Sequence, residues 1–169
     1  QEVFERIAIN FENGNDYVKA QTEIEAQKKS NWWGEENKSD YTINYEVFMP
    51  PSNSVGLTNK YGDTKVAAIR GNADLDIKYG NFEMEDVGGE TNLTFAYGNG
   101  TFNNIKDAVA EVRYARLMFK QADQLELISK YSKITIEQAK EVRSTSKYDT
   151  YTVGKVQDFH NTGKYDNLE

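Results

Sequence analysis

Residues 74–84, DLDIKYGNFEM, contain a phrase that the chain repeats. It occurs before them as VGLTNKYGDTKV at 55–66 and after them as NLTFAYGNGTF at 92–102. The tyrosine recurs with separations of 18, 18, 17, 17, 17 and 17 residues, at Tyr61, Tyr79, Tyr97, Tyr114, Tyr131, Tyr148 and Tyr165. A short fixed period of this kind indicates a repeat architecture.

The repeats, aligned on the tyrosine, share apolar positions. Four residues before the tyrosine, at position −4, stand Leu57, Leu75, Leu93, Ala110, Leu127, Ser144 and Asn161. Position +5 holds Val66, Met84, Phe102, Phe119, Ile136 and Val153, and position +8 holds Ile69, Val87, Ile105, Ala122, Ala139 and Val156. Positions −1 and −3 are mostly polar. Period-two alternation is typical of half-buried strands, so each repeat is predicted to present one face to a core.

A period of 17 or 18 residues is too short for a helix-pair repeat or a four-stranded propeller blade. It fits one coil of a parallel β-solenoid, in which each coil of about three short strands stacks on the next. The sequence therefore predicts an all-β fold, a right-handed parallel β-solenoid of about seven coils over residues 55–169. The handedness follows from the strong bias of parallel crossover connections.

Residues 1–54 lack the repeat and are predicted to cap the solenoid within one structural domain, because an uncovered end is an unpaired sheet edge. Strands are predicted at 18–26 and 41–51, joined by a polar loop at 27–40 that contains Trp32 and Trp33. At the other end the sequence stops inside a seventh coil. We expect that the chain is a fragment or that a partner covers that coil.

Composition narrows the possible functions. The chain has 169 residues, no cysteine and a net charge of −7, which exclude disulfides and thiolate metal sites and argue against a general nucleic-acid binder. No apolar run approaches the roughly 18 residues that a membrane span needs. The first residues also lack the basic start and apolar centre of a signal peptide.

The tyrosines share the parity of the inward positions, which predicts seven stacked rings at a corner with hydroxyls that reach solvent or backbone. The next residue is small or turn-prone in every repeat, being Gly62, Gly80, Gly98, Ala115, Ser132, Asp149 and Asp166. Because only three of these seven are glycine, a positive φ is not required after the tyrosine. We interpret the tyrosines as structural.

The sequence has no pattern of residues that is typical of a catalytic or metal-binding site. The acidic side chains fall in several columns, calcium-binding repeat and phosphate-loop motifs are missing, and the single histidine, His160, lies at an outward position. We expect no catalytic residue, metal or cofactor. The competing hypothesis is a polysaccharide-active β-helix enzyme, which would need a cleft with two or three convergent carboxylates.

Two features are candidates for ligand binding. One is the basic column at position −1, formed by Lys60, Lys78, Arg113, Lys130, Lys147 and Lys164, which a solenoid would space ~5 Å apart. It could meet an anionic polysaccharide or lipid headgroup, or be a solvated edge that deters pairing. The other is the Trp32 and Trp33 pair, which could stack on a sugar or pack on the capping strands.

The stretch INYEVFMPPSNSVGLTNKYGDTKV at 43–66, followed by KYGN-type coils, resembles a bacterial adhesin family of β-solenoid domains of unknown molecular function. The resemblance covers about residues 41–169, and the later copies depart from it because they read KYSK, KYDT and KYDN. It implies a location at the cell surface, in the periplasm or in secreted form, and it supplies no catalytic residues.

We therefore expect a non-catalytic binding or structural module whose partners are polysaccharide or other cell-surface components, with no nucleic acid and no membrane span. A third hypothesis is a scaffold that self-associates end to end through its open C-terminal coil.

Overall fold

The computed structural model describes residues 7–14, 17–25 and 42–169. The chain divides into two compact units, residues 1–47 and 48–169. All regular structure in the described residues is β-strand, which confirms the all-β class. These residues include no helix that is long and apolar enough to cross a membrane.

The N-terminal unit contains one antiparallel hairpin. Strand β1 (Ile7–Asn13) pairs with β2 (Val18–Ile24), and the turn between them includes a hydrogen bond from Gly14 N to Tyr17 O of 2.9 Å. The strand expected at 18–26 is therefore present as β2. Residues 27–40, with Trp32 and Trp33, lie outside the described residues. The capping role of this unit stays a prediction.

The strand predicted at 41–51 is wrong for residues 42–50, which lie in no sheet. Val47 and Phe48 are adjacent and both exposed, so neither face of this segment is buried there. The alternation of apolar and polar residues in the sequence therefore does not produce a half-buried strand. Pro50 and Pro51 lack the N–H groups that a ladder requires, and they lead into a turn in which Asn53 N donates to Pro50 O at 3.0 Å.

The second unit, residues 48–169, is one parallel sheet wound into coils. Its strands are β3 (Val55–Lys60), β4 (Thr64–Val66), β5 (Ala73–Lys78), β6 (Phe82–Ala96), β7 (Asn99–Arg113), β8 (Arg116–Lys130), β9 (Lys133–Lys147), β10 (Thr150–Lys164) and β11 (Asn167–Leu168). The chief strands β3, β5, β6, β7, β8, β9, β10 and β11 lie side by side in that order. Each residue thus pairs with the one 17 or 18 later, as Phe102 does with Phe119, and this confirms the β-solenoid of about seven coils.

Each later coil is one bent strand of 15 residues rather than the three short strands expected. In β7 the buried residues are Gly100, Phe102, Ile105, Ala108, Ala110 and Val112. Where the step between buried residues is three, two successive side chains point outward and the strand turns. The two such steps of β7 and the tyrosine corner that follows it close the coil around its core.

The change from 18 to 17 residues per coil has a defined position. The β6 to β7 register shifts between Val87 and Glu90, where Gly88 and Gly89 stand opposite one residue of the next coil. A Cβ atom on Gly89 would lie 2.2 Å from Asn72 Oδ1 and 2.7 Å from the Gly71 carbonyl carbon. The extra residue is therefore glycine because the coils approach too closely for a side chain.

The core lies where the apolar columns predict. Leu75, Leu93 and Leu127 of position −4 are buried, and Met84, Phe102 and Phe119 of position +5 are fully buried. The rings of Phe102 and Phe119 stack with centroids 5.5 Å apart. Burial weakens at both ends of the unit, where Leu57 and Val153 are only partly covered.

Candidate functional site

The corner of each coil is made by the tyrosine itself. All seven tyrosines have a left-handed backbone, with φ between 52° and 66°, and no described glycine has a positive φ. This conformation costs a non-glycine residue roughly 1–2 kcal/mol. Hydrogen bonds between coils hold it in place, as from Tyr114 N to Lys130 O at 3.0 Å.

The seven rings form one continuous stack. Their centroids are 4.8–5.2 Å apart and their planes differ by 3–14°. The rings lie on the surface, since even the inner ones are 42–49% exposed. The inward orientation indicated by parity is wrong, because a left-handed residue interrupts the alternation on which parity depends.

Stacking is expected to offset the backbone cost at Tyr114. Tyr114→Ala should lower the free energy of unfolding by about 2 kcal/mol, since it removes contacts with two rings worth roughly 0.5–1.5 kcal/mol each and keeps the left-handed cost. Tyr114→Gly should be more stable than the alanine variant by about 1 kcal/mol, because glycine accepts positive φ. Urea denaturation followed by circular dichroism measures both. A glycine variant no more stable than the alanine variant would contradict this account.

The basic column lies beside the ring stack. In-register pairing joins Lys60 to Lys78, Arg113 to Lys130, and Lys147 to both Lys130 and Lys164. The column is interrupted once, at the buried Ala96. The structure thus brings the six predicted basic residues into one line, and we call this line together with the seven tyrosines the tyrosine-lysine ribbon.

The residue at position −3 determines where each cation points. Lys78 Nζ lies 3.0 Å from Asp76 Oδ1, and Arg113 pairs with Glu111. Repeats without an acid at −3 behave differently. Their ammonium groups lie 5.1–5.3 Å from the centroid of the following tyrosine, in the pairs Lys60–Tyr61, Lys130–Tyr131, Lys147–Tyr148 and Lys164–Tyr165. A cation at this distance is attracted to the ring.

A second feature, missed by the sequence interpretation, is a buried polar cluster in the last coils. The Asp149 carboxylate is 3% exposed. It accepts hydrogen bonds from Ser132 N at 2.6 Å, Ser129 Oγ at 2.8 Å and Lys147 N at 3.1 Å. Tyr151 Oη lies 2.6 Å from Ser129 Oγ. The cluster replaces part of the apolar core with hydrogen-bonded groups.

The cluster extends into the next coil. Asp166 accepts from Asp149 N at 2.9 Å and from Ser146 Oγ at 2.7 Å, and Asn161 Oδ1 accepts from Ser144 Oγ at 2.7 Å. The available signal was the polar residues at otherwise apolar positions, Ser144 and Asn161 at −4. Asp149 and Asp166 at +1 were interpreted only as turn formers.

Burial alters the acidity of the cluster. It is the largest cause that raises the pKa of the Asp149 carboxyl from its ordinary 3.8, against the hydrogen bonds that lower it. Burial also raises the pKa of the Tyr151 hydroxyl to about 12. Because the Ser129 and Ser146 hydroxyls donate to the Asp149 and Asp166 carboxylates, the cluster connects neighbouring coils by hydrogen bonds.

Other polar groups are dispersed. The His160 imidazole is on the surface, where its Nε2 lies 3.1 Å from Asp158 Oδ1. Among the described residues no three His, Asp or Glu side chains lie close enough together to hold a metal ion. The ribbon, by contrast, repeats a basic side chain and a tyrosine in six of the seven coils.

A scan of protein-family models, a search of curated proteins and a search of solved structures each found no match to this chain.

Proposed function

We propose that this protein is a non-catalytic binding module of the bacterial cell envelope, located at the cell surface, in the periplasm or outside the cell, that binds a linear anionic polysaccharide along the tyrosine-lysine ribbon. The observation that carries the proposal is the alignment of six basic side chains in one column beside an exposed ring stack.

The spacing of the column suits a polymer. Neighbouring strands lie ~4.8 Å apart, so the ribbon repeats its charges at about the length of one sugar unit. A single exposed ion pair contributes only about 0.5 kcal/mol. Several pairs on one polymer combine because each contact holds the next charge close to its partner. A ribbon without a pocket can therefore bind a polymer while it binds single sugars weakly.

The ring stack favours a polysaccharide over a nucleic acid. Single-stranded nucleic acids bind by stacking their bases on aromatic side chains. Insertion of a base between two rings needs about 7 Å, or twice the contact distance, whereas the centroids are 4.8–5.2 Å apart. The inner rings therefore present edges and hydroxyls, which can donate hydrogen bonds to carboxylate or sulfate groups. The net charge of −7 also opposes general binding of nucleic acid.

The test is an array of bacterial and host polysaccharides probed with the wild-type chain and two variants. One variant changes Lys60, Lys78, Lys130 and Lys147 to Gln. The matched control makes the same change in net charge elsewhere on the solenoid, at Lys65, Lys106, Lys140 and Lys155, which lie outside the ribbon.

We expect saturable binding of anionic polysaccharides. The ribbon variant should bind about 5- to 30-fold more weakly, from two to four contacts of about 0.5 kcal/mol each, and the control should bind nearly as well as wild type. Equal losses of affinity in the two variants would mean that binding depends only on the net charge of the protein and not on the ribbon. If the wild-type chain bound no polysaccharide, the proposal would be wrong and the basic column would be a solvated edge that prevents strand pairing.

A further inference from the structure

The outer face that carries the ribbon is not uniform in charge along the solenoid. On this face three columns of side chains point outward, those of the residues five, three and one before each tyrosine (positions −5, −3 and −1). In the first four coils their charged residues are Lys60, Lys78, Arg113, Asp74, Asp76 and Glu111. In the last three coils they are Lys130, Lys147, Lys164, Arg143 and Glu126, with His160 neutral. Three bases and three acids leave the first part neutral, whereas four bases and one acid give the second part a charge of +3.

The ion pairs sharpen this difference. Lys78 and Arg113 are each paired with an acid of their own strand, at Asp76 and Glu111. Arg143 of the last coils is likewise paired with Glu141, so the positive charge free for a ligand there is that of the three lysines. Among the described residues, no carboxylate oxygen lies within 4.0 Å of the ammonium groups of Lys130, Lys147 and Lys164. Their three ammonium groups lie over tyrosine rings instead, which leaves their charge available to an external anion.

The side chains beside these lysines complete the surface. Position −3 holds Ile128, Thr145 and Thr162 in these coils, and all three are exposed. Together with Lys130, Lys147 and Lys164 they line a shallow groove, and we call these six residues the cationic face. Arg113 also lines one end of the groove, where it is paired with Glu111. The two columns of the cationic face are two residues apart along the strand, or ~7 Å, which suits the width of one extended polymer chain.

We propose that the cationic face is the site that binds the anionic polysaccharide and that its ligand is a polyuronate chain lying along the solenoid axis. This inference rests on the proposed function and gives it a place and a ligand class. The three lysines span two coil steps, ~10 Å, and so meet about three successive sugar carboxylates. The threonine hydroxyls are placed to hydrogen-bond sugar hydroxyls between those charges.

The same reasoning assigns the first coils no part in binding. A uronate approaching Lys78 or Arg113 must displace the carboxylate of Asp76 or Glu111, and the exchange of one carboxylate for another gains almost nothing. Ala96 also removes one charge from the line in that part of the ribbon. The acid at position −3 thus excludes Lys78 and Arg113. Lys60 has no such acid, but it is a single cation, because the next two coils carry the paired Lys78 and the uncharged Ala96.

The experiment measures dissociation constants for an alginate oligomer, a pure polyuronate, with two variants of equal charge change. Lys130, Lys147 and Lys164 become Gln in one, and Lys60, Lys78 and Arg113 become Gln in the other. We expect the first to bind about 10-fold more weakly and the second to stay within about twofold of wild type. Circular dichroism verifies that both variants are folded.

A second pair of variants tests the role of position −3 with the lysines intact. Thr145→Glu should attract Lys147, as Asp76 attracts Lys78, and weaken alginate binding by about 5-fold, from one lost contact of about 0.5 kcal/mol and a similar repulsion of the polymer. Thr94→Glu introduces the same charge in the neutral coils and should have an effect of less than about twofold.

The outcomes separate the two proposals. Equal losses in the two triple variants, or a larger loss in the variant of the first coils, would overturn the cationic face and leave the ribbon as the binding surface. Displacement of alginate by single-stranded DNA of equal charge, or binding of sulfated chains without any binding of alginate, would overturn the polyuronate class. Failure of the wild type to bind any anionic polysaccharide would overturn the proposed function itself.

Discussion

Phe102→Ala should lower the free energy of unfolding of the solenoid unit by about 4 kcal/mol, the usual cost of a buried phenylalanine. Phe102 is fully buried, stacks on Phe119 at 5.5 Å and meets the Phe82 ring at 5.1 Å. The truncation leaves a cavity shared by three coils. Since each coil contacts only its neighbours, damage in one coil weakens the coupling of those on either side. Urea denaturation followed by far-ultraviolet circular dichroism gives the value.

Phe102→Leu is the matched control for this prediction. It keeps most of the apolar volume and should cost no more than about 1.5 kcal/mol. A loss below about 1 kcal/mol in the alanine variant would mean that the aromatic column is not the continuous core described above.

Asp149→Ala should lower the free energy of unfolding by about 3 kcal/mol, because it leaves the Ser132 and Lys147 N–H groups and the Ser129 hydroxyl without their acceptor in a buried place. Asp63→Ala is the control. Asp63 also accepts from the next coil, from Asn81 N at 2.9 Å, but it does so on the surface. Its loss should cost under about 1 kcal/mol because water replaces the hydrogen bonds. Similar costs for the two variants would contradict the importance of burial.

The same residue sets a pH dependence. Because the pKa of Asp149 in the folded protein is raised above 3.8, the folded state retains this proton to a higher pH than the unfolded chain. The contribution of Asp149 to stability therefore decreases as the pH rises from 3.8 through the raised pKa, and is constant above it. The difference in unfolding free energy between the wild type and Asp149→Ala should decrease over that interval. An increase would mean that the hydrogen bonds outweigh burial and that the pKa is lowered.

The period and the apolar columns could be predicted from the sequence because stacking of coils repeats the same requirement at every turn. A core position such as Phe102 faces Phe119 whatever the details of the corner. The strand predicted at 41–51 failed because alternation describes a potential face and not the partner that would bury it. Val47 and Phe48 are both exposed, so no described element buries either of them.

The corner and the polar cluster were harder to predict for physical reasons. A left-handed tyrosine is costly in isolation, and it is stabilised only by the stacked neighbours that the fold brings together. In the sequence Asp149 looks like a turn residue. The three groups that donate hydrogen bonds to it are brought together only by the stacking of the coils, so they cannot be recognised from the sequence. The basic column was visible in the sequence. The pairing of Lys78 with Asp76, which divides the ribbon into neutral and cationic parts, needed the structure.

The measurement that tests the central claim most directly is the binding of the wild-type chain to the polysaccharide array at about 50 and about 200 mM salt. Contacts between basic side chains and a polyanion weaken strongly over this range. The proposal predicts saturable binding to anionic polysaccharides, weaker at the higher salt and absent for neutral ones. No binding at the lower salt, or equal binding to neutral chains, would contradict it.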